Sequence, residues 1–597
     1  MKLTSTHSPL NDQLYSPEEH AVYNSFLNAL LRELPQHKAI TRNFVDHTGR
    51  NTTQTGIELQ LKSRKISLWL PLKHYSKFHY HEFSLPVMYS IDFGPWHTCD
   101  LLTIAQYAIT EKKITERLAP WIRQPIATLS YSFQKKVAAS AEQILLACAD
   151  FQKKNKKITD FATAEQGLLF GHVAHPYPKY REGFSSLEAR QYMPDYGAQF
   201  SLLYVAVSEK LIWSTAKTAT VAQRYLNHLI EVERERFSLS TEQYGILPMH
   251  PWQWGKLLCQ PTIQVALGNN EIKVMGFGQK KWLPTSSVRA LYHPDSPYMM
   301  KFSISSQITN STRTLTESEV TRGVWVMQAF DSAHGQQLIK RCSNLTLIHE
   351  PVAFGIKIDS ENVIPESLFI LRENPFPAGS NAFMVAALCQ PPLSEHTSLL
   401  RELVYRYEKQ HFLTEEVAAE HWFGKYLEIA IRPFVIALSD FGFAFSAHQQ
   451  NMIVGMDDGL PARVYFRDCQ GTAFTTEAIE KIRGDTPGFS SESMLNIERE
   501  ELYRIAAYHL FSNNVFSVMA ALHREKLINE KKSILLLRSF LTELEEELDN
   551  TTFTRYVLRS QYIFSKGNFA LSLISIDESQ APSASLSSYT PMPNPLI

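Results

Sequence analysis

Residues 301–313, KFSISSQITNSTR, follow directly on SSVRALYHPDSPYMM, and together they read as two strands, 287–292 and 298–304, joined by the turn His293-Pro294-Asp295-Ser296-Pro297. A symmetric turn would set Tyr292 opposite Tyr298 and so Arg289 opposite Lys301, with Met300, Phe302 and Ile304 on the other, apolar face. Like charges directly opposed destabilise a sheet unless an anion lies between them. Thr309-Asn310-Ser311 then reads as a helix cap, which would put Thr309 and Arg313 one turn apart on the same side. Two readings follow. Either Arg289, Lys301 and Arg313 converge on one polyanion, or they form a solvated basic face balanced by surface ion pairs.

The chain around this stretch is long enough, at 597 residues, for two to four domains. Its charge is balanced, 59 Lys+Arg against 60 Asp+Glu, so no long-range field draws nucleic acid and any anion binding is local. Six scattered cysteines without CxxC spacing fit a reducing compartment and read as small buried residues rather than ligands. The first twenty residues lack the apolar core of a secretory signal, and the apolar stretch 429–445 is interrupted by Arg432, Pro433 and Asp440, so it is no membrane span. The expected location is the cytoplasm.

Along the chain, Ser16-Pro17-Glu18-Glu19 is a capping box before Val22, Phe26, Leu30 and Leu34 at helical spacing. Ile57/Leu59/Leu61 and Ile66/Leu68/Leu70, separated by Lys62-Ser63-Arg64-Lys65, form a hairpin packed on one face. Helical patterning over 137–151 runs into an exposed Lys/Asn loop, so the first module, 1–160, reads as mixed and mostly helical. The second, 161–350, holds a helix over 163–170 opened by a Thr163/Gln166 pair and the loop GHVAHPYPKYREG, where Pro176 and Pro178 keep His172, His175 and Lys179 off any regular helix. No cysteine lies near and the histidines lack helical zinc spacing, so a zinc site there is not expected. In His250-Pro251-Trp252-Gln253-Trp254 both tryptophans read as aromatic core beside a capped turn, and the role of His250 is open.

The third module, 351–580, follows strands over 344–348 and 352–358. It is rich in helix, over 397–410, 415–438, 497–526 and 532–548. Between the helices, 451–454 and 463–468 form a strand-turn-strand unit around Asp457-Asp458-Gly459, with His448 and Asn451 before it and Asp468 at its far end. An Asn and an Asp flanking a hairpin is the order in which kinase-like folds hold the magnesium of ATP, and an amide oxygen plus a carboxylate suits that ion. The tail 581–597 is rich in Pro and Ser and reads as disordered. There is no GxxxxGK[ST] loop to cradle a nucleotide.

Four stretches in order, GHVAHPYPKYREG, MHPWQW, TSSVR with KFSISSQITNSTR, and AHQQNMIV with FRD, resemble the signature of the siderophore synthetases that work without a nonribosomal peptide assembly line, the aerobactin-synthetase-like IucA/IucC family. The resemblance implies an α+β fold shaped as a cupped hand, with a helical thumb, β-rich fingers and a kinase-like palm. It implies that ATP activates a carboxylate of citrate or a citrate-like acid as an acyl-adenylate, which an amine or hydroxylamine then captures as an amide. Ser287, Arg289, Lys301 and Arg313 would contact phosphate and carboxylate, with His448 beside them and Thr309 and Asn310 hydrogen-bonding. His172, His175 and Lys179 would contribute from the opposite side, and Asn451 and Asp468 would hold Mg2+. A homodimer is among the assemblies it allows. This chain departs from the pattern at Ser446, where relatives carry an acidic residue, and at Val173, where proline is usual.

ATP and a tricarboxylate together carry about seven negative charges, so the first requirement of such a reaction is prearranged cations that offset their repulsion. The attacking carboxylate needs no strong base. In the second step His448 or water takes the proton of the amine. Two rivals remain at this level: a small-molecule kinase, needing Asp468 more than Arg289 and Arg313, and a citrate or siderophore binding protein, needing neither Asn451 nor Asp468.

Overall fold

Ser16 starts the first helix, Pro17–Glu33: Glu19 N–H donates to Ser16 Oγ, and Ser16 N–H donates to Glu19 Oε2 at 2.8 Å. The helix belongs to a computed structural model that describes residues 12–34, 37–45, 51–61, 65–109, 111, 116, 122, 124–231, 243–358, 362–393, 397–486, 489, 497–574 and 589–597. Phe26, Leu27, Leu30 and Leu31 are buried in a core shared with a six-stranded antiparallel sheet. Its two longest strands, Asn51–Leu61 and Ile66–His74, pair Ile57 with Leu70, Leu59 with Leu68 and Leu61 with Ile66, which is the alternation read from the sequence. Three of the four expected turn residues, 62–64, lie outside the described residues. The helices Pro17–Glu33, Leu101–Ala108 and Ile126–Lys153 accompany this sheet in the N-terminal part.

A distant segment completes this core. Helix Asn568–Ile574 inserts Phe569, Ala570 and Leu573 into it. Glu33 Oε1 accepts the N–H groups of Phe569 at 2.6 Å and Ala570 at 3.1 Å, a carboxylate on the positive end of that helix. The tail is corrected where it is described. Tyr589–Pro593 is a strand paired with Tyr562–Lys566, and Met592 and Leu596 are buried. Asn594 Nδ2 donates to Val557 O and Ser560 O, so backbone pairing and two apolar anchors order a segment whose composition alone reads as loose. Residues 581–588 lie outside the described residues.

A second six-stranded sheet runs Leu283–Pro284, Ala290–Tyr292, Tyr298–Phe302, Phe369–Glu373, Val352–Ile356, Ile212–Ala216. It spans both sides of residue 350. The hairpin register differs by one from the symmetric expectation: Ala290 faces Lys301 and Leu291 faces Met300. The reason is local. A tight turn at 285–288, with Val288 N–H donating to Thr285 O and Val288 at φ +68°, delays the first strand to Ala290. Asn374 Nδ2, donating to His293 O and Ser296 O, holds the connecting loop asymmetric. Arg289 therefore lies opposite Phe302, not Lys301, and Phe302 N–H donates to Arg289 O at 2.8 Å.

The helix cap expected at 309–311 is instead a hairpin turn: strands Ile304–Ile308 and Ser311–Arg313 pair, with Thr309 at φ +55° between them. The helix expected over 163–170 is Phe161–Gln166, with Asp160 as its cap and Thr163 in its third position. Both Trp252 and Trp254 are buried, as the sequence indicated, and His250, whose role the sequence left open, caps helix Pro251–Leu257 through Nδ1.

The last part is built around a four-stranded sheet, Leu345–Leu347, Leu460–Phe466, Met452–Asp457, Ala382–Met384, covered by helices in the largest apolar cluster of the chain. Two of the expected long helices are interrupted by π-helical segments, Leu427–Ile431 and Tyr508–Val515. Among the described residues one run, Arg499–Arg524, is apolar and long enough to cross a membrane, yet most of it is buried inside the fold. Of the described cysteines, Cys99, Cys148, Cys342 and Cys389 are buried and Cys259 is exposed.

Candidate active site

Seven separate stretches of chain meet at a cavity of about 370 Å³, two of them contributing only Ser286 with Val288 and Ala386. The loop after Gly171 supplies His172, His175 and Lys179; the hairpin supplies Thr309, Asn310 and Arg313; Ser446 to Gln450 supply His448; the π-helical segment supplies Tyr508, His509 and Asn513; and Lys566 and Asn568 come from near the C-terminus. Among its lining residues are four cations, Lys179, Arg181, Arg313 and Lys566, and no Asp or Glu.

Each piece has a local reason to be where it is. Gly171 sits at φ +71°, where a Cβ would lie 3.1 Å from Pro178 O, so the loop folds back on itself only with glycine. Ser25 Oγ lies 2.8 Å from the carbonyl oxygens of both His172 and His175, which ties the loop to the first helix. His175 Nδ1 accepts from Tyr177 N–H at 3.1 Å and His448 Nδ1 accepts from Gln450 N–H at 3.3 Å, which leaves Nε2 as the protonated nitrogen of each neutral ring. Asn310 Oδ1 accepts from Ser572 Oγ at 2.8 Å and Tyr177 OH at 3.3 Å, while its buried Nδ2 has no partner among the described residues. That orphaned donor fits an acceptor oxygen of a ligand.

The electrostatics follow from burial. Desolvation pushes His448 down to about 4, with Lys566, Arg467 and Arg313 adding to it and Asp468 opposing it. It pushes His172 down to about 3, and His175 and His509 well below the usual range. The rings are therefore neutral at pH 7. Lys179 falls to about 8 by the same cause, opposed by Asp195. Its Nζ donates to Leu168 O.

Of the twelve residues singled out by sequence, seven line this cavity: His172, His175, Lys179, Thr309, Asn310, Arg313 and His448. The other five, Ser287, Arg289, Lys301, Asn451 and Asp468, sit in an adjoining polar layer. Arg289 Nη1 donates to Arg313 O at 3.1 Å, and Ser287 Oγ accepts from Ala290 N–H. Lys301 Nζ meets Asp468 Oδ1 at 2.5 Å, Gln470 Oε1 at 3.1 Å and Glu350 Oε1 at 3.4 Å. Lys301, Arg372 and Arg289 together hold Asp468, whose side chain is about a third exposed, far below the usual carboxylate range against its partial desolvation. Asn451 Nδ2 donates to Ser446 O at 3.2 Å, so its carbonyl oxygen is the atom able to meet a cation. Pairing of Met452 with Phe466 brings Asn451 and Asp468 to the same end of the hairpin.

This donor set suits magnesium only as a partner of phosphate: one carboxylate and one amide oxygen, with ligand oxygens and water completing the shell. Among the described residues no group of three or more His, Cys, Asp or Glu is placed to hold a metal alone.

Sequence reasoning missed several members. Arg467, inside the quoted FRD, bonds Glu165 Oε1 at 2.6 Å and Gln450 O at 2.8 Å, which locks the 286–289 turn through Ser286 N–H on Glu165 Oε2. His509 and Asn513 lie in the π-helical segment Tyr508–Val515, and such widening is a frequent mark of a functional position. Glu350, Arg372 and Lys566 carry no local signal.

A mixed α+β chain with a cationic cavity, a neutral histidine lining and an Asn/Asp pair at a hairpin end is thus a protein built to receive polyanions. The family model described as "IucA / IucC family" matches residues 160–390, and one described as "Ferric iron reductase FhuF-like transporter" matches residues 420–581. The N(2)-citryl-N(6)-acetyl-N(6)-hydroxylysine synthase of Vibrio mimicus is 32% identical, over 89% of this chain and 89% of that protein. The spermidine-citrate ligase of Bacillus anthracis is 28% identical, over 97% and 98%. The ATP-bound structure of aerobactin synthetase IucA from a hypervirulent pathotype of Klebsiella pneumoniae superposes with a TM-score of 0.84 at 30% identity, covering 96% of this chain and 99% of that one. The chain belongs to the IucA/IucC family.

Proposed function

We propose that this chain is an ATP-dependent siderophore synthetase that adenylates a carboxylate of citrate or a citrate-like acid and joins it to an amine or hydroxylamine, releasing AMP and pyrophosphate. The observation that carries the reading is the cavity lined by Arg313 and Lys566, with Arg181 and Lys179 sharing the buried Asp195 behind it, beside the Asn451 and Asp468 pair. Such a surface offsets the repulsion of nucleotide and acid before they meet, and it costs no reorganisation during the reaction. Relatives named as citrate ligases, and one solved with ATP bound, support the same reading.

In this reading Arg313, with Thr309 and Asn310 around it, orients the acid against the α-phosphorus. His172, His175 and Lys179 hold the acid from the opposite wall. Ser287, Arg289 and Lys301 take the phosphates. Asn451 and Asp468 would hold Mg2+, whose chemistry there is neutralisation of phosphate charge. His448, neutral and with its free-standing proton on Nε2, donates to a ligand oxygen first. When the amine attacks, its proton leaves to water; His448 takes it only as the other neutral tautomer, with Nδ1 protonated and the Nε2 lone pair facing the ligand. The molecule divides on this proposal into a thumb, 1–160, fingers and a kinase-like palm, closed over the cavity as a cupped hand; the boundary expected at 350 is moved, because Val352–Ile356 and Phe369–Glu373 pair into the sheet of the fingers. The cytoplasm and a homodimer belong to the same proposal.

Incubation with ATP, magnesium, citrate and a panel of diamines, amino alcohols and hydroxylamines is expected to release pyrophosphate and give an amide of matching mass. Release of ADP instead would reject adenylation in favour of a kinase. Nucleotide-independent citrate binding without turnover would favour a binding protein.

A further inference from the structure

Behind the cavity, two carboxylates share two cations. Glu350 Oε1 accepts from Arg372 Nε at 2.9 Å and Nη2 at 2.5 Å and lies 3.4 Å from Lys301 Nζ. Asp468 Oδ1 takes the same pair, Lys301 at 2.5 Å and Arg372 at 3.4 Å. Their surroundings differ sharply: the Glu350 side chain is 1% exposed and that of Asp468 34%. Glu350 is sealed by helix Glu317–Asp331, where a Cβ on Gly323 would stand 3.3 Å from Oε2, and that oxygen is buried without a partner among the described residues. Lys301 has three donor hydrogens and three partners: Asp468, Gln470 and Glu350.

We propose that Glu350 is a positioning residue that anchors Lys301 and Arg372 from the sealed side, so that Asp468 can give up its share of them to a divalent cation arriving with the nucleotide. The inference rests on the reading that Asp468 meets a metal-bound nucleotide. With Glu350 and Gln470 in place, Lys301 exchanges Asp468 for a phosphate oxygen while two of its hydrogens stay held, and no buried charge is stranded. Without Glu350, both cations fall to Asp468, and a divalent ion must displace two charges at once. Gln470 serves the same anchoring role for Lys301 without a charge of its own.

Calorimetric titration with ATP, with and without magnesium and in the absence of acid substrate, tests this on the full chain. The wild type is expected to bind ATP more tightly with magnesium. Glu350→Gln is expected to lose about tenfold of that magnesium-dependent gain while metal-free binding changes less than threefold. Gln470→Met, which buries no new charge, is expected to lose about threefold, and it carries the test if Glu350→Gln fails to fold. A wild type with no magnesium-dependent gain overturns the reading of Asp468 beneath the inference. A wild-type gain that the folded variants retain within twofold overturns the role of Glu350 itself.

Discussion

At the scale of single residues, the site combines fixed positive charge with histidines kept neutral by burial. Arg313 is the cation that both lines the cavity and supports Arg289 through its carbonyl. Arg313→Ala is expected to lower kcat/KM for the acid at least 100-fold, about 2.7 kcal/mol of transition-state stabilisation, with the circular-dichroism spectrum unchanged. His448 is held down to about 4, so its ring is expected not to titrate between pH 6 and 8. An NMR titration of that ring in the free protein, assigned with His448→Gln, checks this; a midpoint near 6.5 would contradict the burial argument. Arg289 and Lys301 were visible in the sequence as a pair needing an anion between them. The anion present is Asp468, which sequence had placed with the metal, and pleat geometry does not explain their meeting because the register is shifted by one. Val288 at φ +68°, an unusual conformation for a β-branched residue, marks the turn that causes the shift.

At the scale of elements, the local signals that succeeded were those whose partners are near in sequence. The Ser16 capping box and the 57–70 hairpin formed as read, since a cap satisfies its own first turn and a hairpin sets its own register. The 309–311 cap failed because Thr and Asn serve a tight turn as readily as a helix start. The tail failed for a different reason: Tyr589–Pro593 gains its order from Tyr562–Lys566, a strand that also carries Lys566 to the cavity. Tyr589 packs edge-on against Tyr508 at 5.5 Å, a second link to the lining. Deleting residues 589–597 is expected to cost roughly 3–5 kcal/mol from the exposed Met592 and Leu596 sites. It should also lower activity at least tenfold at temperatures where the protein stays folded, as read by urea unfolding alongside pyrophosphate release.

At the scale of the whole molecule, several histidines are buried neutral at once, and their linkage has one sign. His172 and His250 fall to about 3, and His79 and His448 to about 4, each chiefly by desolvation. The unfolded chain takes up these protons near pH 6.5 and the folded chain does not. Stability is therefore full above pH 6.5, declines as pH falls from there towards 4, and the decline levels off below the folded values. The urea midpoint is expected to drop between pH 7 and 4.5, and His250→Gln, outside the cavity, should reduce that drop. A midpoint flat over this range would mean that the rings are solvated.

The sequence by itself determined which residue types the proposed chemistry draws on, and those caps and alternations whose partners are near in sequence, such as the Ser16 cap and the 57–70 pairing. Only the tertiary structure decided which cations face the cavity and which are spent on Asp468. It also decided that Glu350, Arg372 and Arg467 stand behind the site, and that residues 568–574 and 589–597 return to complete it. The physical reason is range. Propensity, capping and pleat act over a few residues, whereas a buried charge is paired by whatever the packed core brings within hydrogen-bonding distance, here across 302 positions between Glu165 and Arg467 and 536 between Glu33 and Phe569.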